Sequence, residues 1–411
     1  MLHEIFSAAD ILLPDFTKTD AMKWSVIACD QFTGDPAYWE TTAQTVGDAP
    51  STLGMILPEI YLEEPDVRER IHAIHATMDR CLHEELFHTY RNAMIYTERV
   101  QSNGILRCGV IGKIDLEAYD YSAGSNSPVR ATEATVLERI PPRMKVRAKA
   151  PLELPHIMIL CDDPEDTAIG TCTAQKAQMQ KLYDTSLMNG GGSIAGYLMD
   201  EAQQDAFRRK LHAVMERSGE LQLAMGDGNH SLATAKACYE SLKAQNPGKS
   251  FYHHPARYAL VELVNLHSEA LQFEAIHRIV TKTQPGQLMM TLAKVLGLSE
   301  EPSEQEITVV RDGDKRTLYI HKPTSKLSVG SLQNALDAYL MTNPGKIDYI
   351  HGAETVERLS EQEGAIGFLL PDMDKSLLFP SVAQDGALPR KTFSMGHAED
   401  KRYYMEARKI R

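Results

Sequence analysis

Apolar positions along this chain recur with two different periods. Ile71, Ile74, Met78, Leu82 and Leu86 stand at helical spacing and predict a helix over 66–88. Phe207, Leu211, Val214 and Met215 do the same for 203–217, and Leu232, Ala235, Tyr239 and Leu242 for a helix opening beside Asn229. Strand-sized apolar runs lie between them: 24–29, which ends in the polar pair Asp30-Gln31, then 105–116, 157–161, 221–225, 257–266 and 273–280. A Ser/Gly/Asn/Pro loop is expected over 120–128, and a helix over 174–187 is expected to stop at Asn189-Gly190-Gly191-Gly192. After Gln284-Pro285-Gly286 the texture changes. A helix is followed by 307–310 and 317–320 flanking Arg311-Asp312-Gly313-Asp314, a hairpin signature, and a helix over 331–342 stops at Asn343-Pro344-Gly345.

Helices and strands alternate without strict βαβ regularity. The pattern predicts an α/β (α+β) fold with a mixed β-sheet core and flanking helices. At 411 residues the chain exceeds what one core usually fills. A main lobe over 1–280 and a smaller C-terminal α+β lobe over 281–411 are expected.

Charge narrows the partners. With 43 basic against 56 acidic residues the net charge is −13, which argues against whole-surface nucleic-acid binding but leaves room for a local anion pocket. No apolar run is long enough to cross a bilayer. The start, Met-Leu-His-Glu-Ile-Phe, carries no visible export signal, so a cytoplasmic protein without membrane attachment is expected. The six cysteines (29, 81, 108, 161, 172, 238) are scattered with no Cys-x-x-Cys clamp, and read as reduced thiols. Homo-oligomerisation is left open.

The strongest candidate chemistry is the turn Met225-Gly226-Asp227-Gly228-Asn229-His230-Ser231 between a strand and a helix. Free backbone amides and the dipole at a helix start attract anions. Gly226 and Gly228 permit close approach, while Asp227 and His230 place an acid and an imidazole at the mouth. Capping by Asp227 or Asn229 would explain the same residues without function.

Neighbouring motifs fail in detail. Gly226-x-Gly228-x-x-Ser231 lacks the third glycine of a dinucleotide fingerprint, and Gly248-Lys249-Ser250 follows a helix, with Lys243 at the leading glycine position of a P-loop. Ala195 breaks a serine elbow. His83 and His88 are five apart, and His72, His75 and Asp79 share the face of an ordinary amphipathic helix.

A basic island runs through Arg130, Arg139, Arg143, Lys145, Arg147 and Lys149, opposed by Glu133 and Glu138. Arginine forks suit phosphate, so the cluster is a candidate anion site; Arg139 and Arg143 are favoured within it because a family resemblance passes through them. His277-Arg278 at a strand and Arg390-Lys391 after Pro389 are further candidates; a core histidine and a surface cation pair are the structural alternatives.

These stretches carry a resemblance. The chain resembles, nearly end to end, a bacterial family known as domain-of-unknown-function family 1015. The likeness runs through Asp227-Gly228-Asn229-His230-Ser231, Thr132-Glu133-Ala134-Thr135 with Arg139 and Arg143, His277-Arg278, Asp348-Tyr349-Ile350-His351 and Leu388-Pro389-Arg390-Lys391. The Asp-Gly-x-His stretch is also similar to one in the ParB/sulfiredoxin-like superfamily, which includes free-serine kinases. That likeness implies a ParB/sulfiredoxin-like substructure and phosphoryl transfer from ATP or ADP with Mg²⁺ to a small, serine-like hydroxyl metabolite. Asp227 would be the base or the Mg²⁺-side acid, and His230 would sit on phosphate. Asn229 stands where the pattern has histidine and Ser231 where it has arginine, which removes a bidentate phosphate grip.

The sequence therefore points to an enzyme that binds a phosphorylated small molecule. Rival readings are a nucleotide or phosphometabolite sensor without turnover, a ParB-like DNA-binding protein, and an NAD-dependent oxidoreductase.

Overall fold

The computed structural model describes residues 4–389 and 391–411. The chain forms two compact units. One comprises the residues up to Ala131, Thr135–Leu271 and Gly396–Arg411; the other comprises Thr132–Ala134 and Gln272–Met395.

The first unit is built on a ten-stranded mixed sheet. Its order runs Gln180–Ser186, Ser193–Leu198, Ile95–Val100, Leu106–Asp115, Tyr258–Asn265, Met158–Cys161, Leu223–Asp227, Val129–Arg130 and Tyr119–Asp120, with Phe6–Ser7 paired against the end of Leu106–Asp115. The first five strands of that order pair antiparallel. Tyr258–Asn265 then runs parallel to Met158–Cys161, which is antiparallel to Leu223–Asp227. Alternation along the strands feeds two cores. Val110, Ile114, Val261 and Leu263 face one, with Phe207 and Leu211 of the helix Glu201–Arg217; Ile111 and Leu260 face the other, with Trp24, Trp39, Ile71 and Ile74. A sheet covered on both faces needs strands apolar on both sides, which is why these runs read as continuous.

The second unit is an antiparallel six-stranded sheet ordered Asp314–Tyr319, Glu306–Arg311, Ile366–Leu369, Phe273–Thr281 and Lys346–His351, with Phe393–Met395 extending the pairing of Phe273–Thr281. The hairpin expected around Asp312-Gly313 is present, with both residues at positive φ.

The mixed α/β fold matches the sequence pattern, but four local expectations do not hold. Residues 180–186 are an edge strand, not helix, and Asn189, Gly190 and Gly192 form the positive-φ turn of its hairpin with Ser193–Leu198. A glycine turn closes a hairpin as readily as it ends a helix. The helix expected to reach 88 spans Val67–His83, and Phe87–Ala93 is already a strand. Residues 24–29 are not a sheet strand: Trp24 closes the short helix Ala21–Trp24, and only Ile27 bridges, to Tyr403. The compact units also divide the chain differently from the expected lobes. Phe273–Thr281 pairs wholly within the second sheet, while the last sixteen residues return to the first unit, where Arg408–Lys409 pairs with Leu152–Glu153.

Among the described residues no helix is long and apolar enough to cross a membrane.

Candidate functional site

The strand Leu223–Asp227 ends in a bulge: Met225 opposes Ile159 and Asp227 opposes Met158, so Gly226 is the extra residue. A bulge re-aims the side chain that follows it. Gly228 then adopts φ 78°, ψ 29° and stands as N-cap of the helix Asn229–Gln245, with no side-chain cap. The capping explanation for this turn therefore fails. The Asn229 amide instead lies against Thr135, donating to its Oγ1 at 3.2 Å, while its Oδ1 accepts from Tyr119 at 3.5 Å.

Asp227 is mostly buried. Among the described residues its Oδ2 has no hydrogen-bond partner, and Lys401 Nζ lies 3.6 Å away. The His230 Nε2 accepts the Val136 N–H at 3.4 Å, which leaves the ring proton on Nδ1 in the neutral form. Burial, reinforced by Arg143 and Arg139, lowers the His230 imidazole to about 4. The ring is therefore neutral at physiological pH and a weak base.

Around this turn the fold gathers residues that periodicity could not single out. His156 Nε2 lies 3.0 Å from Ser231 Oγ and 3.7 Å from Asp30 Oδ2, and its Nδ1 lies 2.8 Å from the Tyr404 hydroxyl. Tyr404 in turn accepts the Cys29 N–H at 3.1 Å. Burial raises Asp30, but His156, the Gln31 amide and Lys401 outweigh it and hold the carboxyl below its ordinary range. Burial and the Asp30 charge push the Cys29 thiol up to about 12, so thiolate chemistry is out of reach there. Glu59, His156, Lys401 and Tyr404 were not singled out by sequence reasoning. Each lies far along the chain from the turn, and no local pattern marks them.

Two cations of the basic island are paired with carboxylates. Arg143 pairs with Glu59 and donates to the Arg139 carbonyl at 2.6 Å, and Arg147 pairs with Glu153 at 2.5 Å. The Arg130 Nε donates to the Ser127 carbonyl at 2.8 Å. Arg139 is exposed and, with Arg143, lies within electrostatic reach of His230.

Four candidates fall in the second unit. His277 Nδ1 accepts the Leu370 N–H at 3.2 Å. The fully buried Arg278 donates to the Lys391 carbonyl at 2.8 Å and to Gln333 at 3.1 Å, and lies over the Tyr349 ring. Glu133 accepts the Thr392 N–H at 3.2 Å, and burial raises its carboxyl. These contacts tie that unit's own segments together. Arg390 lies outside the described residues.

Fold and site together define a mixed α/β protein whose first unit presents an uncapped helix start flanked by a carboxylate, an imidazole and cations, an arrangement suited to a small anion. The chain belongs to the family described as "Protein of unknown function (DUF1015)", which matches residues 14–339. No curated protein matches the sequence. Solved structures with a distant likeness include a free serine kinase in complex with AMP, at 10% identity, covering 71% of this chain and 93% of that one with TM-score 0.38. SbnI from Staphylococcus aureus with a C-terminal truncation gives 10%, 70%, 82% and 0.37. A conserved hypothetical protein from Pyrococcus furiosus gives 10%, 70%, 90% and 0.34. Likeness at this distance assigns neither ligand nor reaction.

Proposed function

We propose that the first unit binds a nucleotide or phosphorylated metabolite at the start of the helix Asn229–Gln245 and transfers a terminal phosphoryl group to a small hydroxyl compound. The observation that carries this reading is Asp227. A buried carboxylate oxygen without a hydrogen-bond partner costs roughly 1–3 kcal/mol or more, and here it stands at an uncapped helix start with Lys401 3.6 Å away. Such an atom is suited to a partner that arrives with the ligand.

In the proposed reaction the acceptor hydroxyl oxygen bonds to the terminal phosphorus as the bridging P–O bond breaks. The acceptor proton passes to Asp227, directly or through water, and the shortened nucleotide leaves. Lys401 and the backbone amides of the first helical turn would steady the phosphoryl oxygens. Among the described residues, no three His, Cys, Asp or Glu side chains gather into a metal site. Mg²⁺ carried by phosphates needs only one or two carboxylates, and Asp227 fits that demand as the alternative to its role as base. Bound there, the cation would neutralise charge on the transferring group. His230, neutral and accepting from Val136, would position the loop instead of donating a proton.

A second reading is a sensor that binds without turnover. Ser231 favours it, because its hydroxyl is engaged by His156 and supplies no cationic grip.

The test is incubation with Mg²⁺, ATP or ADP and a panel of hydroxyl metabolites, read by phosphorus NMR alongside thermal shift. New phosphoester that vanishes in Asp227→Asn supports transfer. Stabilisation by nucleotide without phosphoester, in wild type and variant alike, supports the sensor. Stabilisation by NAD alone would overturn both.

A further inference from the structure

A cavity of about 140 Å³ lies beside the helix start, within the first unit. Much of its wall is apolar, formed by Met55, Leu57, Leu62, Met78, Val146 and Leu154. One end is polar: Cys29, His156, Ser231 and Tyr404 line it. Ser231 is the residue of the turn that lines it; neither Asp227 nor His230 does, so the cavity adjoins the turn without containing those two side chains.

Three features define its occupant. The volume is close to the roughly 150 Å³ that accommodates a benzene ring. The charged groups that reach the cavity are already matched, Arg143 with Glu59 and Arg147 with Glu153, so no free charge is available for an ionic ligand. The polar end offers uncharged hydrogen-bonding groups: the Ser231 hydroxyl, held 3.0 Å from His156, and the Tyr404 hydroxyl, 2.8 Å from the other nitrogen of that ring. The His156 side chain is only 5% exposed, so the ring is fixed in place by these partners.

We infer that this cavity binds the apolar body of a neutral hydroxyl compound, of phenol to indole size, with its oxygen at the Ser231–His156 end. A zwitterion such as free serine would leave two charges unmatched there. From that end a path of polar groups leads to the proposed transfer site: Asp30 is 3.7 Å from His156 and feels Lys401, which pairs with Asp227. The assignment of this compound as phosphoryl acceptor rests on the transfer reading; the assignment of the cavity does not.

The probe is 4-methylphenol, added to the full chain labelled with ¹³C at methionine methyls. Met55→Leu and Met78→Leu assign the two cavity resonances. Saturable shifts of both, with Kd on the order of 0.1–1 mM as ligand efficiency allows for about eight heavy atoms, are expected, while Met341, which is 85% exposed, stays unmoved. Leu57→Trp and Leu154→Trp, which fill the cavity, should each weaken binding at least about tenfold, and L-serine should not compete. Absence of saturable shifts in the wild type, or equal binding in folded forms of the filled variants, overturns the cavity assignment. If the probe binds but no phosphoester forms with ATP and Mg²⁺, the cavity assignment stands and the transfer reading fails. Phosphoester formed on serine without any binding of the probe fails the cavity assignment alone.

Discussion

The His230 imidazole makes the site's electrostatics measurable. An ordinary histidine titrates at 6.5, whereas burial together with Arg143 and Arg139 lowers His230 to about 4 in the fold. Because the folded value is the lower one, the unfolded chain takes up the proton first as pH falls. Stability is therefore lost through the window from about 6.5 down to about 4, and is fully present above it. For an isolated buried group, moving from pH 7.5 to 5.0 would cost about 2 kcal/mol, from roughly 1.36 kcal/mol per pH unit. His230 is only partly buried, and solvent screening reduces this to about 1 kcal/mol. The perturbation is His230→Gln, which cannot titrate. Urea unfolding of wild type and variant at both pH values yields a double difference that cancels the acid sensitivity of every other group. A double difference near 1 kcal/mol, with the wild type losing more on acidification, is expected. A value below about 0.3 kcal/mol would refute the lowering of this ring in the folded chain.

Two further outcomes follow from the same corner. Gly228→Ala should destabilise by about 2–3 kcal/mol in chemical denaturation, since φ is +78° and an added Cβ would sit 3.0 Å from the Ile157 Cα; a loss under about 0.5 kcal/mol would mean the turn relaxes freely. Arg143→Gln should move the His230 titration, followed by NMR, upward from about 4 and strand Glu59 without its cation. An unmoved titration would show that Arg143 does not govern the ring.

What periodicity made legible was whatever one segment decides alone. The helix Glu201–Arg217, the strands Leu106–Asp115 and Tyr258–Asn265, and the turn after Met225 each carry their own signal in spacing or in glycine. Residues 180–186 were misread because Tyr183 and Thr185 lie on an edge strand whose partner, Ser193–Leu198, supplies half of its definition. The segment 24–29 carried an apolar run, but its backbone partners include the Arg402 carbonyl and the Tyr404 N–H, almost the whole chain away. Candidate residues behaved in the same way. Asp227 could be named from its neighbours, whereas Lys401 becomes visible only once the last residues fold back beside the turn, and His156 only once the fold sets it against Ser231 and Asp30. The arginines of the basic island were legible as charges but not as pairs, because Glu59 and Glu153 lie outside the island.

That returning segment has its own physical logic. Ile27 bridges Tyr403 in antiparallel register, the Ala28 N–H donates to the Arg402 carbonyl at 2.9 Å and the Tyr404 N–H donates to the Val26 carbonyl at 2.8 Å, which brings Asp30 and Lys401 to the same end of the pairing. The anchor is Arg402. Its side chain is 1% exposed, pairs with Glu262 at 2.7 Å and with Glu406, and Glu262 also lies 3.7 Å from Arg107. Glu406 accepts from the Tyr183 hydroxyl on the edge strand. Removing one partner of a buried ion pair typically costs 3–5 kcal/mol, because the other charge stays behind without compensation. Arg402→Met should therefore lose about that much stability. At a temperature where the variant remains folded, Lys401 should also be held less firmly against Asp227, so under the proposed function nucleotide affinity should fall at least about tenfold, with Arg402→Lys recovering part of both. Lys401→Met removes the cation itself: on the proposed reading it should reduce affinity at least as much, with a smaller loss of stability than Arg402→Met, because the 3.6 Å pair with Asp227 is longer and less buried than the Arg402 pairs. If Arg402→Met binds nucleotide as tightly as wild type despite its lower stability, the buried pair holds only the fold together, and the cation beside Asp227 finds its place without it.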